Sequence, residues 1–370
     1  MDDFFETSFP AANLNLTSEC VVNKDFTFGY LSSVYLVVFL VGFLGNVFGL
    51  WNMCLNWKKW TSLNVFMLNL GVADLLYVIT LPFFVTYYSN KEVWMFGYQF
   101  CRLARCLFHL NMYASISFLT VISVQRYLGI VHPLKMIGRF QNLCHALYIS
   151  LLLWIWVIIQ ILPNLLFTNT AKNGTFCYDS TINEHLSTYT PYTMVITFTG
   201  FFVPFIITVA CYTRVLLVLK SNNNVDPHLK RRSIKLVFIV LVLFFVCFFP
   251  YYTFRNLNLF SRTWQLQGTC TRTLKNVYVS YQVTRGLACL NSAINPLLYL
   301  VTNENFVSKF QTMRMKASHT FVFLQCLQSH SNNSKVPTSR LPVRADYQDC
   351  IWTPSFASHQ HVVNSKVRIE

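Results

Sequence analysis

Apolar residues cluster into seven runs, each long enough to cross a bilayer as a helix, which takes about 20 residues. They cover Tyr30–Asn56, Leu63–Tyr88, Arg102–Val131, Leu143–Phe167, Tyr189–Leu219, Ile234–Leu259 and Val277–Val301. The third is the most polar and leans on its neighbours for its assignment. The pattern predicts an all-α fold, a bundle of seven transmembrane helices over residues 30–301. A tail outside the membrane precedes it (1–29), and a short amphipathic helix on the membrane surface follows (302–316). A polar, disordered tail with serine-rich stretches such as Ser329–Ser334 ends the chain (317–370).

Basic residues flank the runs unevenly. Lys58 and Lys59 lie in the first connection, Lys135 and Arg139 in the third, and Lys220, Lys230, Arg231 and Arg232 in the fifth. Lys309, Arg314 and Lys316 follow the seventh run. Cytoplasmic connections carry such excess, so the odd-numbered connections and the C-terminal tail are expected inside and the N-terminus outside. Two glycosylation triplets, at Asn15 and Asn173, fall on outer segments. The first 29 residues lack a basic segment followed by an apolar core, so the first helix is expected to serve as its own insertion signal.

Composition agrees. Of 370 residues, 54% are hydrophobic and 12% charged, about half the charge of a soluble domain. A net charge of +15 would suit a nucleic-acid binder only on soluble elements; here it marks topology, and no nucleic-acid polymer is expected as a partner. Of twelve cysteines, four lie on outer segments: Cys20, Cys101, Cys177 and Cys270. They read as two disulfides, for which three pairings are open.

Two polar groups stand out, because ionisable residues in a membrane need a partner or a role. Asp74 is the one acid deep in a helix, and Asn46, Ser115, Asn291, Ser292 and Asn295 are placed to converge on it. Such a cluster holds a sodium ion, shares a proton, or is purely structural; no other cofactor is expected. Toward the outside, Arg105, His109 and Tyr113 recur every four residues on one face of the third helix. Arg255 and Arg285 lie in the sixth and seventh helices. No acid in the outer half of a helix answers these arginines; Asp179 and Glu184 on the second outer connection are the candidates. Guanidinium groups suit phosphate and carboxylate, so an anionic ligand is expected to supply the missing charge. The alternative is that they reach outward to water or lipid phosphates.

Motifs spread over all seven helices make the chain resemble the rhodopsin-like G-protein-coupled receptors: Gly45-Asn46, Leu70-Gly71-Val72-Ala73-Asp74, Gln125-Arg126-Tyr127, Trp154, Pro204, Tyr212, Phe248-Phe249-Pro250 and Asn295-Pro296-Leu297-Leu298-Tyr299. Within that group it resembles the metabotropic purinergic receptors. The carrying strings run from Leu107 to Tyr113, Gln125 to Pro133, Phe176 to Asp179 and Tyr281 to Ala288. The last two are closest to the ADP-responsive subtype. This resemblance implies a plasma-membrane receptor for an extracellular nucleotide, acting through a heterotrimeric G protein, phospholipase C and calcium. It implies the pairings Cys20–Cys270 and Cys101–Cys177, and a ligand set of Arg105, His109, Tyr113, Asp179, Tyr252, Arg255, Gln282 and Arg285, with Glu184 on the lid. It also implies an activation set: Phe248 and Pro250 beneath the pocket, a connector of Pro204, Ile116 and Phe244, and Arg126 meeting Tyr212 and Tyr299 at the inner face.

The chain departs from the family pattern in places. Tyr252 replaces a common histidine, Arg255 a lysine, Ser187 an arginine, and Asn295-Pro296 the Asp-Pro of many nucleotide receptors. Gln125 stands where an acid usually pairs with Arg126. The competing reading is a receptor for a dicarboxylate such as succinate or oxoglutarate, whose receptors also use arginines but tend to carry Arg-Pro where this chain has Arg285-Gly286. No phosphate-cradling glycine loop, zinc-spaced set or nucleophile motif points to an enzyme, and no inverted halves point to a transporter.

Overall fold

The computed structural model describes residues 24–55, 60–133, 142–167, 176–221, 226–268 and 271–302. Asn15, Asn173, Cys20, Cys270, the surface helix expected over 302–316 beyond its first residue and the tail over 317–370 lie outside the described residues, as do the lysines and arginines of the first and third connections. Among the described residues every regular element is helical. Seven rods follow one another: α1 (Asp25–Leu55), α2 (Ser62–Ser89), α3 (Tyr98–Val131), α4 (Leu143–Phe167), α5 (Asn183–Ser221), α6 (Pro227–Leu266) and α7 (residues 272–302). Neighbours along the chain pack on one another and α7 closes on α1, α3 touches α2, α4 and α5, and α4 meets α5 through side chains, Tyr189 donating to Asn164 and Tyr192 to the Gln160 carbonyl.

Six rods are long and apolar enough to cross a membrane. The seventh is not, because it carries Gln282, Arg285, Asn291 and Asn295, all buried. Polarity thus weakens α7 more than α3. In α3 the polar positions face inward, with 78% of its most apolar window buried, against 28% in α1 and α4. The outward faces of α1 and α4 expose Leu40, Val41, Leu44, Leu151, Ile155 and Ile159, an apolar surface of the kind a membrane covers. The helices also outrun their apolar stretches: α6 starts at Pro227, capped by the Asp226 carboxylate accepting from the His228 N–H at 3.0 Å. Helical hydrogen bonding continues into water where hydropathy has already fallen.

Prolines set where the rods bend. Proline lacks an N–H and leaves the carbonyl four residues back unclaimed. Pro296 frees the Ser292 carbonyl, which accepts instead from Asn46 Nδ2 of α1 at 2.9 Å. Pro204 in α5 and Pro250 in α6 each follow a π-turn, Phe198–Phe202 and Leu243–Phe248. In such a turn the widened spacing absorbs the lost bond. The two turns meet through Phe201, whose ring lies 6.3 Å from Phe244 and 4.8 Å from Tyr252, stacked on the latter. Phe248 is fully buried against Phe244 at 5.6 Å.

Candidate ligand site at the outer end

At the end of the bundle where α1 begins, the outer end by the charge pattern, Arg105, Arg255 and Arg285 are 4%, 3% and 2% exposed. None reaches out to lipid, which removes the alternative of headgroup contact. Arg285 Nη1 lies 2.6 Å from Asp179 Oδ2, and its Nη2 donates to the Tyr88 hydroxyl. Arg105 Nη2 donates to the Cys177 carbonyl at 3.0 Å, and its guanidinium lies over the Phe84 ring at 4.5 Å. Arg255 holds two phenol oxygens, Tyr113 at 3.2 Å and Tyr189 at 2.9 Å. His109 Nδ1 contacts the Arg105 carbonyl at 2.9 Å. Gln282 is 3% exposed and its Oε1 has no hydrogen-bond partner. Tyr252 stacks on Phe201.

Of the two candidate carboxylates for these arginines on the second outer connection, Asp179 answers Arg285. The Cys101–Cys177 disulfide, present as expected, ties the second outer connection over the bundle and carries Asp179, two residues on, down to Arg285. Glu184 stays exposed in the turn Asn183–His185 and answers none of them. Sequence reasoning missed a fourth arginine. Arg262 of α6 donates to Ser180 Oγ at 3.0 Å, the Thr181 carbonyl at 2.8 Å and Asn183 Oδ1 at 2.7 Å, clamping that connection from above. Its signal was its spacing, seven residues past Arg255 and so on the same helix face. Tyr88 and Tyr189, the other unforeseen partners, carried no such signal.

The arrangement remains electropositive. Among the described residues Asp179 is the one carboxylate acting on these guanidinium groups, shared by Arg285, Arg105 and Arg262, and Arg255 pairs with no acid. Burial alone would raise the Asp179 carboxyl, but the three arginines outweigh it and hold its pKa below the ordinary value. A carboxylate with a depressed native pKa stabilises the fold fully above its unfolded value, about 3.9, and loses that contribution only as pH falls through the native one. Asp179→Asn should therefore lower the melting temperature of the purified receptor by the same amount at about pH 5 and about pH 8. A gap that shrank across that interval would mean the carboxyl is not held charged.

Deeper in the bundle, Asp74 accepts from Asn111 Nδ2 and Ser292 Oγ at Oδ1, and from Asn295 Nδ2 at Oδ2, each at 2.8 Å. Asn291 links to the shell through Asn111 and Asn295, at 3.3 and 3.1 Å. Asn111 was not foreseen, although it lies four residues before Ser115 on the same face. Ser115 is buried, but its hydroxyl reaches no hydrogen-bond partner, and neither does Asn295 Oδ1. At the inner end Gln125 Nε2 donates to Ser62 Oγ of α2, an uncharged tether in place of a salt bridge. No carboxylate among the described residues pairs with Arg126, whose electrostatic neighbours are Arg232 and the buried Tyr212. The Tyr299 hydroxyl donates to the Met67 carbonyl at 3.1 Å, so it contacts α2 here.

Residues 45–299, more than half the chain, match the 7 transmembrane receptor (rhodopsin family). The chain is 41% identical to Y-type purinoceptor 1 of Homo sapiens over 312 residues, 83% of each protein. It is 42% identical to Y-type purinoceptor 1 of Gallus gallus over 309 residues, 82% of this chain and 85% of that one. Y-type purinoceptor 4 of Xenopus laevis is 35% identical over 339 residues, 86% of this chain and 62% of that one. The chain belongs to the Y-type purinoceptors of the rhodopsin family. It is thus a multi-pass membrane receptor of the G-protein-coupled type and not an enzyme, and the resemblance read from its motifs holds at the level of the family.

Proposed function

We propose that the chain is a plasma-membrane receptor, N-terminus outside, for an extracellular nucleotide, ADP or a related di- or triphosphate. We further propose that it signals through a heterotrimeric G protein to phospholipase C and calcium. One observation carries the ligand reading: buried guanidinium groups at the outer end outnumber the single carboxylate acting on them. Buried charge without a counter-charge is costly, and a polyphosphate supplies several negative oxygens at the geometry arginine prefers. That the similar proteins are named purinoceptors supports this anion over a dicarboxylate.

The cavity beside Arg105 and Arg285, lined also by Tyr35, Tyr77, Phe84 and Phe108, measures about 10 Å³, room for one water at most. A nucleotide would therefore enter from the mouth and take Arg285 from Asp179. That exchange favours one bundle arrangement only by the ligand's differential affinity for the two. Drawing Arg255 toward Arg285 would load α6 above Pro250 and Phe248, and the inner end would respond at Arg126 and Tyr212. The Asp74 cluster, with the unclaimed oxygens of Ser115 and Asn295 nearby, suits a sodium ion, which Asp74, Ser115, Asn291 and Asn295 would hold. The deciding experiment is a calcium assay in cells expressing the chain, with nucleotides and dicarboxylates tested side by side. A rise with ADP is expected; a rise with succinate and with no nucleotide would replace the ligand assignment by the dicarboxylate.

A further inference from the structure

Gly200 sits inside the π-turn Phe198–Phe202 of α5 and is buried. A β-carbon there would lie 2.7 and 2.8 Å from two ring carbons of Tyr113 and 3.2 Å from Gln160 Oε1, closer than packed carbons approach. The Tyr113 ring therefore rests against the bare backbone of α5. It has no exposed surface, and on another side it meets Tyr252 at 6.0 Å, itself stacked on Phe201 at 4.8 Å. Its hydroxyl accepts from Arg255 Nη1 at 3.2 Å. That leaves only a few tenths of an ångström before the contact ceases to be a hydrogen bond. Because Arg255 is held by phenol oxygens and not by a carboxylate, its place depends on where those rings stand.

We infer that Gly200 is a positioning residue for the Arg255 guanidinium, acting through Tyr113, and that it thereby sets how tightly the outer site takes a phosphate-bearing ligand. The inference rests on the nucleotide reading above. Any side chain at 200 displaces the ring, the Tyr113 hydroxyl leaves Arg255, and the guanidinium loses half its support.

The test is a double-mutant cycle on ADP potency, at matched surface expression. Gly200→Ala and Tyr113→Phe are each expected to lower potency about tenfold, the effect of one hydrogen bond to a charged group. Their combination is expected to be no worse than Tyr113→Phe alone, because both act on one contact. Losses that multiply would reduce Gly200 to general packing and overturn the inference. Unchanged potency in Gly200→Ala beside a clear loss in Arg255→Ala would overturn it while leaving the nucleotide reading intact. No effect of Arg255→Ala would also overturn it, whereas the nucleotide reading beneath it falls only if the unmodified receptor gives no response to ADP or any other nucleotide. A structure of the Gly200→Ala receptor decides independently of any ligand. A Tyr113 hydroxyl moved beyond hydrogen-bond distance of Arg255 supports the inference, and an unmoved ring defeats it.

Discussion

Replacing Arg285 with alanine is expected to abolish the calcium response to ADP, with receptor still present at the cell surface. Arg285 is the most enclosed of the three arginines, at 2% exposure, and both its terminal nitrogens are engaged, by Asp179 and by Tyr88. In the proposed exchange those nitrogens pass to the ligand as a pair. Each charge-assisted hydrogen bond is worth about 1.5–3 kcal/mol, so losing two moves the half-maximal concentration by roughly a hundredfold or more. The substitution also leaves Asp179, now repelling phosphate, without its nearest cation. Arg285→Lys keeps the charge but not the planar fork, and an intermediate loss is expected. An unchanged ADP dose–response curve for Arg285→Ala at matched expression would place the phosphate elsewhere.

Cys101→Ser is expected to cost both surface delivery and response. The bond to Cys177 closes a loop spanning 76 positions, a constraint worth about 2–4 kcal/mol, a large share of a typical domain's stability of about 5–15 kcal/mol. It also fixes the Cys177 carbonyl that Arg105 uses at 3.0 Å and that the Tyr87 hydroxyl reaches at 3.4 Å. Without it, the segment bearing Asp179, Ser180 and Thr181 loses its covalent anchor on α3 and keeps only non-covalent holds, the Arg285–Asp179 pair and the Arg262 clamp among them. Surface labelling together with the ADP response of the residual receptor measures the two effects separately. Normal delivery with normal potency would show that the arginine contacts suffice to hold the connection without the covalent bond.

The helices were legible because a bilayer leaves little freedom: spans must be apolar and long, and basic residues flank their inner ends. The site was legible for the opposite reason, since Arg105, Arg255 and Arg285 violate that apolar rule. What escaped was whatever depends on a loop's path or a helix's local spacing. Asp179 could be named only as a candidate, because sequence does not tell how far a connection dips into a bundle. Arg262 lies beyond the sixth apolar run, which ends at Leu259, where a charge carries no signal of its own. Ser115 is among the polar residues of other helices expected to converge on Asp74, yet Asn111, one turn earlier, makes the contact, at 2.8 Å. The π-turns left no imprint beyond the prolines that follow them, and with them the close approach of Tyr113 to Gly200 stayed hidden.

Asn46 takes up the carbonyl that Pro296 releases, and so fastens the weak point of α7 to a different helix. A joint repaired within its own rod can flex in any direction. One stitched to a neighbour is held in place on that side. The break that Pro296 makes in α7 is thus closed by an amide of α1, so the register of the last turns, Tyr299 among them, is set by the first helix as well as by α7 itself.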